Sequence, residues 1–213
     1  MDLKQKPSAL VLLSGGMDST TLLYYVKKTL LYTKVETIGF DYSQRHKIEL
    51  EYAKKIAKKV KVPFRIIKID LRQFGGSPLT SETEVPRMKD DKQHLTVVPA
   101  RNSIFLSLAT AYAEVKGLQD IFIGATIDDF KSYPDCRSQF ISLISKALSA
   151  GNNIRGVYAP FANLSKFDVV SKGKVLQVPY VLTYSCYEGL AKPCNQCDAC
   201  VERNKVLQKI YDE

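Results

Sequence analysis

Continuous apolar runs alternate with segments of helical periodicity along most of the chain. Residues 9–13 are all apolar, which is typical of a strand that is covered on both faces. Beyond them, apolar residues recur every three or four positions, as expected for a helix that buries one face. The pattern predicts strands over residues 9–13, 35–40, 64–69 and 121–125, and helices over residues 22–30, 48–60, 103–116, 140–150 and 166–177.

This alternation predicts an α/β fold, with a Rossmann-like parallel sheet and helices on both of its faces. Ligands of such folds bind at the carboxyl ends of the strands. Residues 72–98 show no clear periodicity, and a segment of that length is more often functional or mobile than idle. We predict a main domain over residues 1–180 and a C-terminal cysteine-rich helical cap over residues 181–213.

Composition and charge narrow the class of protein without deciding it. The 213 residues are 45% hydrophobic and 25% charged, which is ordinary for a globular protein and excludes disorder as the main character. The net charge of +9 suggests an anionic partner. However, residues 47–68 contain eight basic residues and only two acidic ones, Glu49 and Glu51. At helical spacing their lysines face away from Ile48, Ile56 and Val60. This spacing predicts a solvated helix face, so the charge is weak support for nucleic acid.

The chain shows no targeting or membrane segment. Residues 9–13 are too short for the apolar part of a signal peptide and far too short to span a bilayer. We therefore expect a cytoplasmic protein without membrane contact. In a reducing compartment, clustered thiols favour metal binding or reactivity over disulfides.

A glycine-containing loop follows the first predicted strand, with the sequence SGGMDST over residues 14–20. Its glycines let backbone N–H groups approach a ligand, its hydroxyls add donors, and the next helix offers its positive N-terminus. The loop lacks both the Gly-Lys-Ser/Thr ending of a Walker loop and the G-x-G-x-x-G dinucleotide pattern. It predicts an anion site; the alternative is a plain strand–turn–helix connection.

Four of the five cysteines lie near the C-terminus, with the spacing C-x7-C-x2-C-x2-C. Four thiolates so placed suit a tetrahedral zinc ion, and four protein ligands make the ion structural rather than catalytic. An iron–sulfur cluster and redox-active thiols are the alternatives. The predicted metal ligands are Cys186, Cys194, Cys197 and Cys200.

The loop sequence S-G-G-x-D-S directly after an apolar strand resembles that of the pyrophosphate-loop (PP-loop) ATP pyrophosphatases, whose fold is of the adenine nucleotide alpha hydrolase type. This resemblance implies that ATP is split between its α- and β-phosphates, with Mg²⁺ accompanying the nucleotide. The residues implied to bind ATP are Leu13, Ser14, Gly15, Gly16, Met17, Asp18, Ser19, Thr20, Thr21, Leu22 and Leu23.

Together, the loop and the cysteine cluster resemble the 7-cyano-7-deazaguanine synthase family of the queuosine and archaeosine pathways. Further segments agree with it: residues 40–46 (FDYSQRH), 98–102 (VPARN), 133–137 (YPDCR), 164–166 (LSK) and 183–187 (TYSCY). The resemblance implies that a ligase adenylylates 7-carboxy-7-deazaguanine with ATP, converts it to the amide with ammonia, and activates the amide with a second ATP to give the nitrile. It also implies one structural zinc ion per chain and a homodimer.

Residue roles carried over from this resemblance are hypotheses. Asp18, Ser19, Arg101 and Lys166 are the expected catalytic residues, because a cation offsets phosphate charge and donors stabilise departing pyrophosphate. We expect a carboxylate to suit the guanine-like N–H edge and a guanidinium to suit the substrate carboxylate. The expected substrate-binding residues are Asp41, Arg45, His46, Tyr133, Asp135, Cys136 and Arg137, and Cys136 invites a covalent-intermediate hypothesis.

The chain departs from the family pattern at Leu13, at Lys131-Ser132 and at Ala100, which stands in place of the glycine in V-P-G-R-N. If this position has a positive φ, alanine costs about 1 kcal/mol. Three other functions stay open: an enzyme that stops at the amide or joins a deazaguanine to another amine, a tRNA-modifying ATP pyrophosphatase, and a zinc-stabilised binding module. We find no aromatic-basic RNA motif and expect no direct nucleic-acid partner.

Overall fold

The computed structural model describes residues 7–85, 87 and 96–212. These residues form a five-stranded sheet in the order β3-β2-β1-β4-β5, with all neighbouring strands parallel. The predicted Rossmann-like α/β fold is thus confirmed. The strands are β1 (Ser8–Leu12), β2 (Lys34–Asp41), β3 (Phe64–Lys68), β4 (Asp120–Phe122) and β5 (Gly156–Tyr158).

Helices cover both faces of this sheet, close to where the periodicity predicts them. Gly117 ends α3 in the left-handed conformation, where its N–H reaches the carbonyls of Ala113 and Glu114. The helices are α1 (Met17–Lys28), α2 (Glu49–Val60), α3 (Arg101–Lys116), α4 (Ser138–Gly151), α5 (Lys166–Val175) and α6 (Asp198–Asp212).

The central strand β1 is apolar throughout because it packs on two cores. Leu10 and Leu12 contact the cluster that includes Leu106 of α3, whereas Ala9 and Val11 contact the cluster on the opposite face. This accounts for the uninterrupted apolar run from which the strand was predicted. At the C-terminal side, Ile210 of α6 packs with residues of α1 and α5, so the cysteine-rich region is anchored on the main sheet domain.

Two parts of the chain differ from the sequence pattern or extend it. The strand β5, paired with β4, was not predicted, because three residues are too few to display a period. Within the region without periodicity, short 3-10 turns lie at Arg72–Phe74 and Pro78–Thr80. Residues 86 and 88–95 of that region lie outside the described part of the chain.

The basic segment behaves as a solvated face. Helix α2 buries Leu50, Ala53, Ile56 and Ala57, while Lys54, Lys55, Lys58 and Lys59 are exposed, as predicted. Most of the excess positive charge in this segment therefore lies in water. In the part of the chain that the structure describes, no helix has the length and apolar character needed to cross a membrane.

Candidate active site at the carboxyl edge of the sheet

A cavity of about 270 Å³ opens at the carboxyl ends of the strands, beside β1 and β4, where the strand order reverses. This is the edge at which ligands of such sheets bind. Its wall combines the glycine loop with aromatic and charged side chains. The lining residues are Leu12, Leu13, Ser14, Gly16, Asp18, Ser19, Ile38, Gly39, Phe40, Tyr42, His46, Glu49, Leu50, Arg101, Asn102, Phe105, Ile123, Gly124, Ala125, Asp129, Tyr133, Cys136 and Tyr187.

The glycine loop is held in shape by its own hydroxyl groups. The Oγ atoms of Ser14 and Ser19 lie 3.0 Å apart, and the N–H of Gly16 donates to Ser14 Oγ over 3.3 Å. Gly15 has φ +90°, and a Cβ atom there would lie 2.5 Å from the carbonyl oxygen of Glu49. Only glycine fits this close contact between the loop and α2.

The residues expected to bind ATP divide into two groups. Leu13, Ser14, Gly16, Asp18 and Ser19 line the cavity. The others, apart from Gly15, are buried within α1 and do not line it: Met17, Thr20, Thr21, Leu22 and Leu23. Leu22 and Leu23 pack in the hydrophobic core, whereas the hydroxyl of Thr20 donates to the carbonyl of Gly16 in the loop over 2.7 Å.

An acidic group lies beside the loop. Asp18 Oδ1 is buried and accepts no hydrogen bond from the described residues. Burial raises the pKa of Asp18 to about 7, against the opposing effect of Lys166. The Nζ atom of Lys166 lies 3.1 Å from Asp129 and 2.6 Å from Glu202 on α6. These carboxylates outweigh the effect of burial and raise the pKa of Lys166, so the lysine is charged; it does not line the cavity.

Aromatic rings and one guanidinium form the other end of the cavity. Arg101 is the first residue of α3, and its guanidinium lies over the Tyr133 ring, 5.7 Å from the ring centre. The hydroxyls of Tyr133 and Tyr187 are 3.3 Å apart. The rings of Phe40 and Phe105 stack, with centres 4.0 Å apart. A flat heteroaromatic ligand suits such walls.

His46 and Glu49 lie at the same end, near the start of α2. The Nε2 atom of His46 is 3.3 Å from the Tyr42 hydroxyl and 3.6 Å from Glu49 Oε1. Burial lowers the pKa of His46 to about 3 and raises the pKa of Glu49 to about 7. The histidine is therefore neutral at physiological pH, whereas the carboxyl group is poised between its two forms.

Three of the residues expected to bind substrate line the cavity, namely His46, Tyr133 and Cys136. The Sγ atom of Cys136 accepts a hydrogen bond from the side-chain amide of Asn102 over 3.3 Å. Burial raises the pKa of the Cys136 thiol to about 12, so at neutral pH it is a thiol and not the thiolate that acts as a nucleophile.

The other four expected substrate residues do not line the cavity, and their side chains are engaged elsewhere. The Asp41 carboxylate pairs with Lys47 at 2.7 Å, and Arg45 donates to the carbonyl of Thr83. The Asp135 carboxylate accepts the N–H of Asn102 at the start of α3, and Arg137 donates to the carbonyl of Phe130. Of these contacts, the one made by Asp135 holds a residue that lines the cavity, Asn102.

Six lining residues with functional side chains escaped the sequence analysis. Tyr42, Asn102 and Tyr187 lie within segments that carry the family resemblance but were given no role, whereas Glu49 stands in no such segment and reads as one acid in a basic helix. Only the fold brings them to one surface. They are Tyr42, Glu49, Asn102, Phe105, Asp129 and Tyr187.

The four C-terminal cysteines converge as their spacing predicts. The Sγ atoms of Cys186, Cys194, Cys197 and Cys200 all lie within 4.8 Å of one another. A zinc–sulfur tetrahedron with bonds of about 2.3 Å has sulfur atoms roughly 3.8 Å apart, so this group could hold a metal ion of that size. The cluster is continuous with the cavity, because Tyr187 directly follows the first cysteine.

The sheet order, together with an S-G-G-x-D-S loop at its switch point, defines the PP-loop class of the ATP pyrophosphatase fold. The structure of NMN synthetase from Francisella tularensis shares this fold, with a TM-score of 0.57 at 18% identity over 97% of this chain and 76% of that one.

Sequence comparison identifies the family within this class. Residues 8–211 match the family described as "Queuosine biosynthesis protein QueC", and the chain belongs to that family. The chain is 43% identical to 7-cyano-7-deazaguanine synthase from Thermoplasma acidophilum, with coverage of 98% of this chain and 91% of the relative. It is 45% identical to the protein of the same name from Picrophilus torridus, covering 96% and 88% of the two chains.

Proposed function

We propose that this chain is a cytoplasmic ATP-dependent ligase that converts 7-carboxy-7-deazaguanine and ammonia to 7-cyano-7-deazaguanine for queuosine biosynthesis. One observation carries the proposal: a single cavity joins a glycine loop to an aromatic chamber with a buried guanidinium. Relatives bearing the name of this synthase match nearly the whole chain.

The reaction runs in two activation rounds. In the first, an oxygen of the substrate carboxylate attacks the α-phosphorus of ATP, the α–β phosphoanhydride bond breaks, and pyrophosphate leaves. Ammonia then attacks the acyl carbon, loses a proton, and displaces AMP to form the amide. In the second round, the amide oxygen attacks the α-phosphorus of another ATP and pyrophosphate leaves. Departure of AMP and loss of the two protons on nitrogen then form the carbon–nitrogen triple bond. Both departures of pyrophosphate require charge stabilisation by preorganised donors.

The phosphates of ATP occupy the loop end in this proposal. The hydroxyls of Ser14 and Ser19 and the N-terminus of α1 stabilise the leaving pyrophosphate, and Arg101 offsets charge at the reacting carboxylate and α-phosphate. Lys166 acts one step away, since its ammonium holds Asp129 and balances the charge of Asp18.

The acidic residues at the loop end fit a Mg²⁺ ion that accompanies ATP. Mg²⁺ prefers oxygen ligands and is commonly held by one or two carboxylates together with phosphates. Asp18 has a buried oxygen without a hydrogen-bond donor in the described residues, and Asp129 also faces the cavity. When bound there, the ion neutralises charge on the polyphosphate.

The remaining parts of the proposal concern assembly. The four cysteines hold one structural Zn²⁺ ion, residues 1–180 form the PP-loop domain, residues 181–213 form the zinc region packed on it, and the enzyme is a homodimer. The exposed lysines of α2 are away from the cavity, so no direct nucleic-acid contact is proposed.

The test is a product analysis. Purified protein is incubated with 7-carboxy-7-deazaguanine, ATP, Mg²⁺ and ammonium, and the products are followed by mass spectrometry. We expect the nitrile, with two AMP formed for each nitrile. Consumption of ATP without a nitrile mass would overturn the proposal, and an amide end product would identify an enzyme that stops halfway. Salt-dependent tRNA binding by the protein would instead favour a tRNA-modifying enzyme.

A further inference from the structure

The buried carboxyl group of Glu49 has no assigned role in the proposed chemistry. It belongs to the first residue of α2, its side chain is 15% exposed, and it lines the aromatic end of the cavity. A carboxyl group in such a place costs free energy unless a partner compensates for its burial. Its position at the cavity wall therefore favours a ligand that carries hydrogen-bond donors.

One of its two oxygens is already held by the protein. Gln44 donates its amide N–H to Glu49 Oε1 over 3.1 Å, and the same amide group also donates to the carbonyl of Phe40 over 3.0 Å. The oxygen of the Gln44 side chain accepts the N–H of Tyr42 over 2.9 Å. Gln44 is thus fixed by three hydrogen bonds at the end of β2, and it orients the carboxyl group.

The second oxygen has no donor among the described residues. Within that part of the chain, Gln44 is the only side chain that reaches Glu49 within hydrogen-bonding distance, and it reaches Oε1. His46 is 3.6 Å away from the same oxygen and is neutral. A ligand in the cavity would meet an oriented acceptor.

We propose that Glu49 reads the N–H edge of the guanine-like base, so that it decides specificity for a 2-amino-4-oxo pyrimidine ring. This inference rests on the proposed function. A base with adjacent ring N–H and amino donors matches a carboxylate acceptor, and the aromatic residues Phe105 and Tyr187 also line this end of the cavity. Asp135, one of the two acids expected to bind substrate, instead contacts the backbone of Asn102.

The isosteric variant Glu49→Gln tests this role because of Gln44. A glutamine has one acceptor oxygen, and Gln44 and the base would compete for it. If the oxygen accepts from Gln44, the new NH2 group faces the donors of the base; if it accepts from the base, the NH2 group faces the donor of Gln44. The exposed Glu51→Gln variant on the same helix is the matched control.

The measurement is kcat/KM for 7-carboxy-7-deazaguanine and for 7-carboxy-7-deazahypoxanthine, which lacks the 2-amino group. We expect the wild-type protein and Glu51→Gln to prefer the guanine compound by at least about tenfold, since a site built for a donor rejects an analogue without it. In Glu49→Gln this preference should fall to less than about threefold. The ratio is independent of the fraction of folded enzyme.

Three outcomes overturn the inference. An unchanged preference in Glu49→Gln, with normal wild-type turnover, refutes the role of Glu49 and leaves the proposed function standing. If Glu49→Gln loses kcat/KM equally for both compounds, and a high ammonium concentration restores it, Glu49 acts on ammonia instead. Absence of wild-type turnover with either compound overturns the proposed function itself, and the choice of ligand with it.

Discussion

The two ends of the cavity are assembled in different ways. The loop end comes mainly from one contiguous stretch, in which Ser14, Gly16, Asp18 and Ser19 follow a single strand, and Asp129 joins it from the segment after β4. The aromatic end comes from segments far apart in the chain, including the turn after β2, the start of α3 and the cysteine-rich region. A contiguous site carries its chemistry in a readable motif, whereas a dispersed site does not. Variants at each end should therefore show whether the two ends act separately.

The largest effect should follow disruption of the cysteine cluster, because residues next to it contribute to both ends. Tyr184 donates its backbone N–H to the carbonyl of Gly15 over 2.9 Å, and Tyr187 lines the aromatic end. We expect Cys197→Ser to lose bound zinc and about 4–5 kcal/mol of stability or more, together with turnover. Metal content and thermal unfolding provide the measurement. The matched control is Cys136→Ser, which leaves the cluster intact; an unchanged unfolding temperature in metal-free Cys197→Ser would refute this prediction.

The next effect should be confined to the loop end. Asp18→Asn removes a buried carboxylate beside the phosphates, and we expect AMP formation to fall by about 10²–10³-fold. Affinity for 7-carboxy-7-deazaguanine should change less than about threefold, because the base occupies the other end of the cavity. Steady-state AMP release and calorimetric binding separate the two quantities. Asp70→Asn, at an exposed pair with Arg72, is the control; a matching loss of affinity in Asp18→Asn would show that the ends are coupled.

A pH effect should report on Glu49 in the ligand-free protein. Its pKa of about 7 in the folded state exceeds the ordinary value of 4.5, so burial of the ionised form destabilises the fold increasingly as pH rises from 4.5 to 7. Glu49→Gln removes this cost, and its stability gain over wild type should be about 1–3 kcal/mol larger at pH 8 than at pH 4.5. Chemical denaturation at both pH values measures the difference. His46 does not interfere, because its pKa is about 3; a gain that does not depend on pH would contradict the assignment.

A smaller effect concerns the residue before Arg101. Ala100 caps α3 with φ +53°, so this position has the positive φ that favours glycine, and alanine adopts the left-handed conformation there. We expect Ala100→Gly to stabilise the protein by about 1 kcal/mol. The reciprocal control is Gly117→Ala at the other end of α3, where φ is +60° and a Cβ atom would meet open space. It should cost about 1 kcal/mol; a destabilised Ala100→Gly would mean that packing outweighs backbone strain.

The smallest effect is expected at Cys136. Since its thiol has a pKa of about 12, we expect no covalent intermediate, and Cys136→Ser should retain turnover within about threefold of wild type. Turnover and intact-protein mass during catalysis are the readouts. A substrate-sized mass increase in the wild type that is lost in Cys136→Ser would restore the covalent hypothesis.

Prediction from the sequence succeeded where the signal is local. The apolar run at β1, the glycine loop and the cysteine spacing each require only neighbouring residues, and the structure shows the strand, the loop at the sheet edge and the converging thiols. It missed β5, whose three residues hold no period, and it passed over Glu49. The roles assigned to individual site residues remain predictions.

By itself, the sequence determined the fold class, the location of the glycine loop and the group of cysteines, because periodicity and short spacings are properties of neighbouring residues. Only the tertiary structure decided which carboxyl group faces the aromatic end of the cavity. Asp135 and Glu49 are chemically similar and both near candidate motifs, yet one contacts the N-terminus of α3 and the other lines the cavity. That choice depends on how α2, α3 and the cysteine-rich region pack on the sheet, and burial then changes the charge of the selected group.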